Sequence, residues 1–306
     1  MQHKKKKLMR RWGISLGAVA ATGAVLVAVT PAQAAGPEEV NAKGAYLMEG
    51  DGEELWGKGT DTRREMASTT KIMTATVALE TKGALDEKVK IKQEYRDYVE
   101  REGGSTADLR TGDVLTVEQL LPALMLPSGC DAAYAIADTL GKGDTIKERT
   151  ASFIGKMNRT AKQLELGDTK FDSFDGISQG GENYSTPKDL AKLAQHAMEK
   201  ERFSSVVKST KSVEEATNGR TYTWHNTNQL LGSYDGAIGI KTGTGTRAGS
   251  CLVFAVERDG RTVVGVVLGS DSTKKRYADA KKMLDWTFDT KSTMNLRELP
   301  EGAERD

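Results

Sequence analysis

Residues 238–269 read IGIKTGTGTRAGSCLVFAVERDGRTVVGVVLG, and the pattern of this stretch decides the fold class. Ile238–Thr244, Ser250–Glu257 and Thr262–Gly269 are short apolar runs bounded by turn residues, which predicts three strands. The last two are joined by Arg258-Asp259-Gly260-Arg261, whose Asp-Gly step suits a type I′ hairpin. Lys274–Phe288 then has the spacing of a closing helix. Working outward to the other end of the chain, Ala45–Glu49 and Glu54–Gly57 flank Gly50-Asp51-Gly52 and read as a second hairpin.

Helical spacing dominates between these ends. Ala67–Lys82 carries Ile72, Met73, Ala75, Thr76 and Leu79 on a helical period and stops at Gly83. Residues 86–113 are charged and read as loop with short strand-like pieces. Thr116-Val117-Glu118-Gln119 is a capping box that opens an apolar helix ending near Pro127. Asp131–Leu140 and Asp144–Leu164 follow as two more helices, and residues 167–184 read as Gly-, Asp- and Ser-rich loop. Thr186-Pro187-Lys188-Asp189 predicts a helix running toward Lys200, with Thr as N-cap and Pro at the first helical position. From Thr221 the pattern turns to β. Strands at both ends with helices between predict an α/β chain of the α+β type. Its antiparallel sheet is built from both chain ends and carries an inserted, mainly helical region.

The first 34 residues are different in kind. Residues 1–12 hold six Lys and Arg and no acid, Gly13–Val29 is uncharged, and Pro31-Ala32-Gln33-Ala34 offers an A-x-A site. Residues 1–34 therefore read as a secretory signal peptide, with an uncleaved anchor helix as the alternative. The rest, 35–306, is expected to form one domain, with a sheet region at about 40–82 and 220–290 and a helical region at about 83–219. The expected location is outside the cytoplasm, secreted or at the outer face of the membrane, with membrane contact only if the segment is retained. The whole chain holds 44 bases and 43 acids; the segment takes six of the bases, so the remainder is mildly acidic at −5. Neither figure suggests a nucleic-acid partner. Three His and two Cys leave no metal-ligand pattern, and no metal or cofactor is expected.

Two serine motifs compete for the chemistry. G-x-S-x-G occurs at Gly13–Gly17, inside the signal segment, and at Gly176–Gly180 around Ser178. A nucleophile elbow needs a strand before and a helix directly after. Loop flanks the second copy, so it reads as a Gly-rich turn. S-x-x-K puts a serine and a lysine on one helix face, where a desolvated lysine can take the serine proton without a histidine. It occurs four times, at Ser68/Lys71, Ser185/Lys188, Ser205/Lys208 and Ser272/Lys275. Only Ser68 opens an apolar helix, at its positive end; the other three read as surface residues. Lys241-Thr242-Gly243 is the one K-T-G and lies on a predicted strand, suited to an extended peptide ending in carboxylate. Ser128-Gly129-Cys130 falls at a turn between two helices.

S-x-x-K, S-x-N and K-T-G in this order mark penicillin-binding proteins and serine β-lactamases. The chain resembles the low-molecular-mass penicillin-binding proteins, the D-alanyl-D-alanine carboxypeptidases and DD-transpeptidases. The resemblance runs from about Ala45 to Trp286. It is strongest in Leu120–Ala137, Met157–Phe171, Tyr184–Leu193 and above all Asn226–Thr244 (NTNQLLGSYDGAIGIKTGT). It implies a serine peptidase acting on peptidoglycan stem peptides that end in D-Ala-D-Ala, with β-lactams as covalent inhibitors. Ser68 is then the nucleophile, Lys71 its base and Ser128 a proton relay. Lys241 and Thr242 hold the terminal carboxylate, with Gly243, Thr244 and Cys130 completing the substrate site. The backbone N–H groups of Ser68 and Thr244 form the oxyanion hole. The chain departs from the pattern at Cys130, where the family has Asn. A thiol is a weak donor and acceptor, so hydrolysis should be inefficient and transfer favoured. A Cys130–Cys251 disulfide is an alternative use of the two cysteines. The expected mature length holds the catalytic unit alone. Glu165, His196 and His225 read as solvated or core-edge residues rather than catalytic ones. A serine β-lactamase or esterase of the same fold, or a weakly catalytic penicillin-binding module, are the rival readings.

Overall fold

In the computed structural model of the chain, residues 36–303 are described. The signal-peptide reading falls outside them. Strands β1 (Gly44–Glu49) and β2 (Glu54–Lys58) form the N-terminal hairpin, and β3 (Arg64–Glu65) leads into a 3₁₀ turn, Ala67–Thr70, and helix α1 (Lys71–Glu80). The inserted region follows: β4 (Lys88–Lys90), α2 (Gln93–Glu102), β5 (Val114–Thr116), α3 (Val117–Met125), α4 (Cys130–Leu140), α5 (Ile146–Gln163), β6 (Tyr184–Ser185), α6 (Pro187–Met198) and α7 (Glu201–Lys208). Strands β7 (Lys211–Glu215) and β8 (Thr221–His225) pair with each other. Then β9 (Ala237–Gly245), β10 (Gly249–Arg258), β11 (Arg261–Ser270) and α8 (Thr273–Thr287) complete the chain.

The main sheet has the order β2-β1-β11-β10-β9, and every neighbouring pair is antiparallel. Both chain ends build it, as expected, because β1 pairs with β11. Alternation explains the near-continuous apolar runs. In β10, Leu252, Phe254 and Val256 join the core under α8, while Cys251, Val253 and Ala255 join the core of the helical layer. A sheet buried on both faces needs apolar residues at both parities. Each fully buried Val, Leu or Phe there contributes about 1.5–3 kcal/mol relative to exposure. Asp259 and Gly260 both have positive φ, 53° and 75°, as a type I′ turn requires. Gly265 stands opposite Phe254, whose ring fills the space a side chain would take.

Local chemistry sets the helix starts. Thr116 and Gln119 form the capping box, with the Thr116 hydroxyl accepting from the Gln119 amide at 3.2 Å. Thr186 caps α6 by accepting from the Asp189 amide at 3.1 Å, with Pro187 at the first helical position. Three elements differ from expectation. Helix α2 lies within the stretch read as loop; it buries only Tyr95, so it shows no apolar stripe. Helix α7 continues past Lys200 as a separate element. Strand β8 pairs with β7, outside the main sheet. No described helix is long and apolar enough to cross a membrane.

Candidate active site

The 3₁₀ turn sets Ser68 apart from its neighbours. Ala67, Thr69 and Thr70 are buried while Ser68 is half-exposed, and Ala67 has a positive φ of 46°. Lys71, the first residue of α1, is wholly buried, and its Nζ lies 3.0 Å from Ser68 Oγ. The same Nζ lies 3.3 Å from Cys130 Sγ and 3.0 Å from the backbone oxygen of Asp175. Three contacts in three directions fix a side chain that is otherwise highly flexible. Ser68, Cys130 and Thr244 line a cleft of about 500 Å³, together with Gly103–Ser105 and Gly176–Ser178.

Strand β9 forms one wall. Its Gly243 backs onto the serine turn so closely that a Cβ would stand 2.9 Å from the Ser68 nitrogen and 3.0 Å from that of Thr69. Glycine is therefore required by close approach, not by φ. Lys241 and Thr242 are buried; Lys241 Nζ donates to the Thr242 carbonyl at 2.9 Å, and Thr242 Oγ1 shares a hydrogen bond with Thr227 at 2.7 Å. Thr244 Oγ1 accepts from Arg276 at 3.1 Å, which also donates to the Gly243 carbonyl at 3.3 Å. Arg276, fully buried on α8, thus stiffens the strand from behind.

The opposite wall is irregular. Ser128 sits in the left-handed region at φ 65°, is completely buried, and its Oγ makes no hydrogen bond. Its carbonyl accepts from Ser105 Oγ at 2.7 Å, and the Cys130 amide donates to the Ser105 carbonyl at 2.8 Å. Burial pushes the Cys130 thiol up to about 12 despite the pull of Lys71, so it stays a neutral thiol at pH 7. Cys130 and Cys251 are not joined, which removes the disulfide alternative. The structure brings Lys71 into contact with both Ser68 and Cys130 and lays Gly243 against the backbone of the serine turn. It does not bond the Ser128 hydroxyl to any of them.

The other serine candidates separate cleanly. Ser178 donates to Asp172 at 2.7 Å within a loop that walls the cleft, without the strand-before, helix-after setting of a nucleophile elbow. Ser205 and Ser272 are exposed. Ser185, expected at the surface, is instead buried, because β6 pairs with β3 and its hydroxyl meets Thr169 at 2.8 Å. Glu165 is exposed, and His196 lies 2.6 Å from Glu80, away from the cleft. Two residues at the site escaped the sequence reading. Asp175 supplies a contact to Lys71. Gly176, at φ 100°, presses on the Ala67 carbonyl, where a Cβ would come within 2.0 Å of the oxygen. The signals are the Asp-Gly step inside a loop-like stretch and Gly176 as the first glycine of the G-x-S-x-G match, which reads as a turn.

The model of the D-alanyl-D-alanine carboxypeptidase family matches residues 30–272. The chain belongs to this family of serine peptidases. It is 50% identical over 281 residues to a D-alanyl-D-alanine carboxypeptidase of Streptomyces sp. strain K15, covering 88% of this chain and 96% of that one. A D-alanyl-D-alanine carboxypeptidase of Bacillus subtilis is 33% identical over 83% of this chain and 64% of its own length. Among solved structures, the Streptomyces K15 DD-transpeptidase superposes with a TM-score of 0.80 at 50% identity, over 83% of this chain and all of that one. The carboxypeptidase of Francisella tularensis superposes at 0.72 with 28% identity, over 82% and 71% of the two chains. The mixed fold with its antiparallel sheet is the DD-transpeptidase fold of this family.

Proposed function

We propose that the protein is an exported serine peptidase that opens the D-Ala-D-Ala bond of peptidoglycan stem peptides through an acyl-enzyme on Ser68. The observation that carries this reading is the buried Lys71 amine held 3.0 Å from a half-exposed Ser68 hydroxyl at the floor of a cleft. As a free amine, Lys71 takes the Ser68 proton while the serine oxygen bonds to the penultimate carbonyl carbon. Negative charge gathers on the carbonyl oxygen, where the Ser68 and Thr244 amides each contribute on the order of 3 kcal/mol. The C–N bond then breaks and the leaving D-alanine nitrogen takes a proton, for which the unspent Ser128 hydroxyl is the relay. Lys241 and Thr242 supply charge and a hydroxyl for the terminal carboxylate. Water or an acceptor amine releases the acyl group. β-Lactams present the same acyl-D-Ala-D-Ala shape and acylate the same serine.

Cys130 biases the outcome toward transfer. A neutral thiol 3.3 Å from Lys71 offers one weak donor and no amide carbonyl to order a hydrolytic water. Residues 1–34 place the enzyme beyond the cytoplasmic membrane. Product analysis with a diacyl D-Ala-D-Ala peptide, with and without an acceptor amine, tests the reading. Released D-Ala with transfer product dominating is expected; no release of D-Ala contradicts it. Cys130→Asn should raise hydrolysis relative to transfer, and identical partitioning in both proteins would remove the role given to the thiol. Rapid turnover of penicillin to its hydrolysed form would favour a β-lactamase.

A further inference from the structure

Behind Lys71 lies a carboxyl group that the acyl-transfer scheme leaves unused. Asp175 is wholly buried. Its Oδ2 accepts from the Tyr98 hydroxyl at 2.8 Å and its Oδ1 from the Ile177 amide at 2.9 Å, so both oxygens are held. Its backbone oxygen accepts from Lys71 Nζ at 3.0 Å, and its carboxyl lies close enough to interact with that amine through charge rather than through a direct ion pair. The Cys130 thiol faces both, 3.3 Å from Nζ and within hydrogen-bonding reach of the carboxyl. Tyr98 is itself fixed by ring contacts with Tyr134 and Phe174, at 5.1 and 5.7 Å, which keep water from this side.

A buried acid and a buried amine in one pocket behave as a pair. An ammonium formed there without a partner is costly, because the interior screens charge poorly. Lys71 must become an ammonium at the moment Ser68 attacks. Two donors aimed at the Asp175 oxygens act against the burial that favours its neutral form, and the ionised carboxylate is the partner that ammonium needs. The titratable groups around the carboxyl are Lys71 on α1, Tyr98 and, further out, Glu102 on α2, and Cys130 on α4. The tyrosine and the thiol are neutral and Glu102 is only partly buried, so Asp175 is the fully buried carboxyl of this set.

We propose that Asp175 is a positioning residue for acyl transfer: held by Tyr98 and the Ile177 amide, it is the countercharge to the Lys71 ammonium formed when Ser68 attacks. The step balances within the site. The Ser68 O–H bond breaks, its proton goes to Lys71 Nζ, the oxygen pair bonds to the carbonyl carbon, and Asp175 neither gains nor loses a proton. This rests on the Ser68 acyl-enzyme proposed above. Burial pushes the pKa of Asp175 upward, with Lys71 and the two donors opposing it. Its charge therefore changes closer to neutrality than an exposed aspartate's would.

The test is the rate of Ser68 acylation by labelled penicillin, followed from acid to alkaline pH, in wild type and Asp175→Asn. Without the carboxylate the ammonium that forms on attack has no countercharge, so the acid limb should move down by about one pH unit. The plateau above it should fall about tenfold, because the amine is a weaker proton acceptor. A lowered rate with an unmoved limb means a packing role and overturns the proposal, as does an unchanged profile. If thermal unfolding shows that Asp175→Asn does not fold, Tyr98→Phe removes one donor and keeps the ring; its limb should move the same way by less, and no movement overturns the proposal. Adduct on Ser68 in wild type reads the acyl-enzyme, while the limb of the variant reads Asp175, so the two can fail separately.

Discussion

The two walls of the cleft are built on different principles. From Ile240 to Gly245 the β9 wall keeps an unbroken register to β10, with Lys241 opposite Val253 and Gly243 opposite Cys251, and Arg276 ties it from behind. The helical wall holds a serine at positive φ with an unbonded buried hydroxyl, a glycine pressed onto the nucleophile turn and a buried acid beside a buried lysine. A regular wall can offer a backbone edge to an extended substrate. Strained backbone and uncompensated polar groups are kept where the chemistry needs them. The difference teaches that the sheet side binds and the helical side reacts, and perturbing each should break different observables.

The largest effect is expected from the helical wall. Gly176→Ala puts a Cβ 2.0 Å from the Ala67 carbonyl at a φ of 100°, which displaces the serine turn. Acylation by penicillin should fall about a hundredfold, the scale of an ångström's misplacement at a reacting group. Retention of full acylation would show that the turn is not held from this side. The matching change behind the sheet is Gly265→Ala, whose Cβ would meet the Phe254 ring at 2.0 Å. Overpacking there should cost about 2 kcal/mol of stability by denaturant unfolding. The acylation rate of the folded protein should stay within about twofold of wild type. A large loss of rate would mean that the two walls are not separable.

A smaller effect concerns acid. On α4, Asp138 is buried and accepts from Lys92 at 2.5 Å, Tyr95 at 2.6 Å and Arg149 at 2.6 Å. Burial alone would raise it, but these donors outweigh burial and hold it below the usual carboxylate range. A depressed folded value adds stability above the ordinary value of 3.8 that is lost as pH falls through the folded one. Thermal stability should therefore drop more steeply in acid for wild type than for Asp138→Asn across that window. Parallel curves would assign the acid sensitivity elsewhere.

Much of the regular wall was legible in the sequence. The short apolar runs bounded by turn residues, the Asp259-Gly260 turn and the Thr116 and Thr186 caps each act through near neighbours, so a linear reading finds them. Lys71 was separable from three chance matches because its helix is apolar throughout. Helix α2 was not, since it buries one tyrosine and shows no stripe. Ser185 was misread because its burial comes from a strand pairing with Arg64, 121 positions earlier. Asp175 carries no local signature: its meaning comes from Tyr98, Lys71 and Cys130, which the fold brings from three separate helices.

The central claim is that Ser68 is the residue that becomes acylated, with Lys71 as its base. Labelled penicillin followed by mass mapping of the modified peptide tests it directly. The account predicts a single adduct on Ser68 that disappears in Ser68→Ala and forms at least about a hundredfold more slowly in Lys71→Ala. Label on Ser178, or no covalent adduct at all, would contradict it.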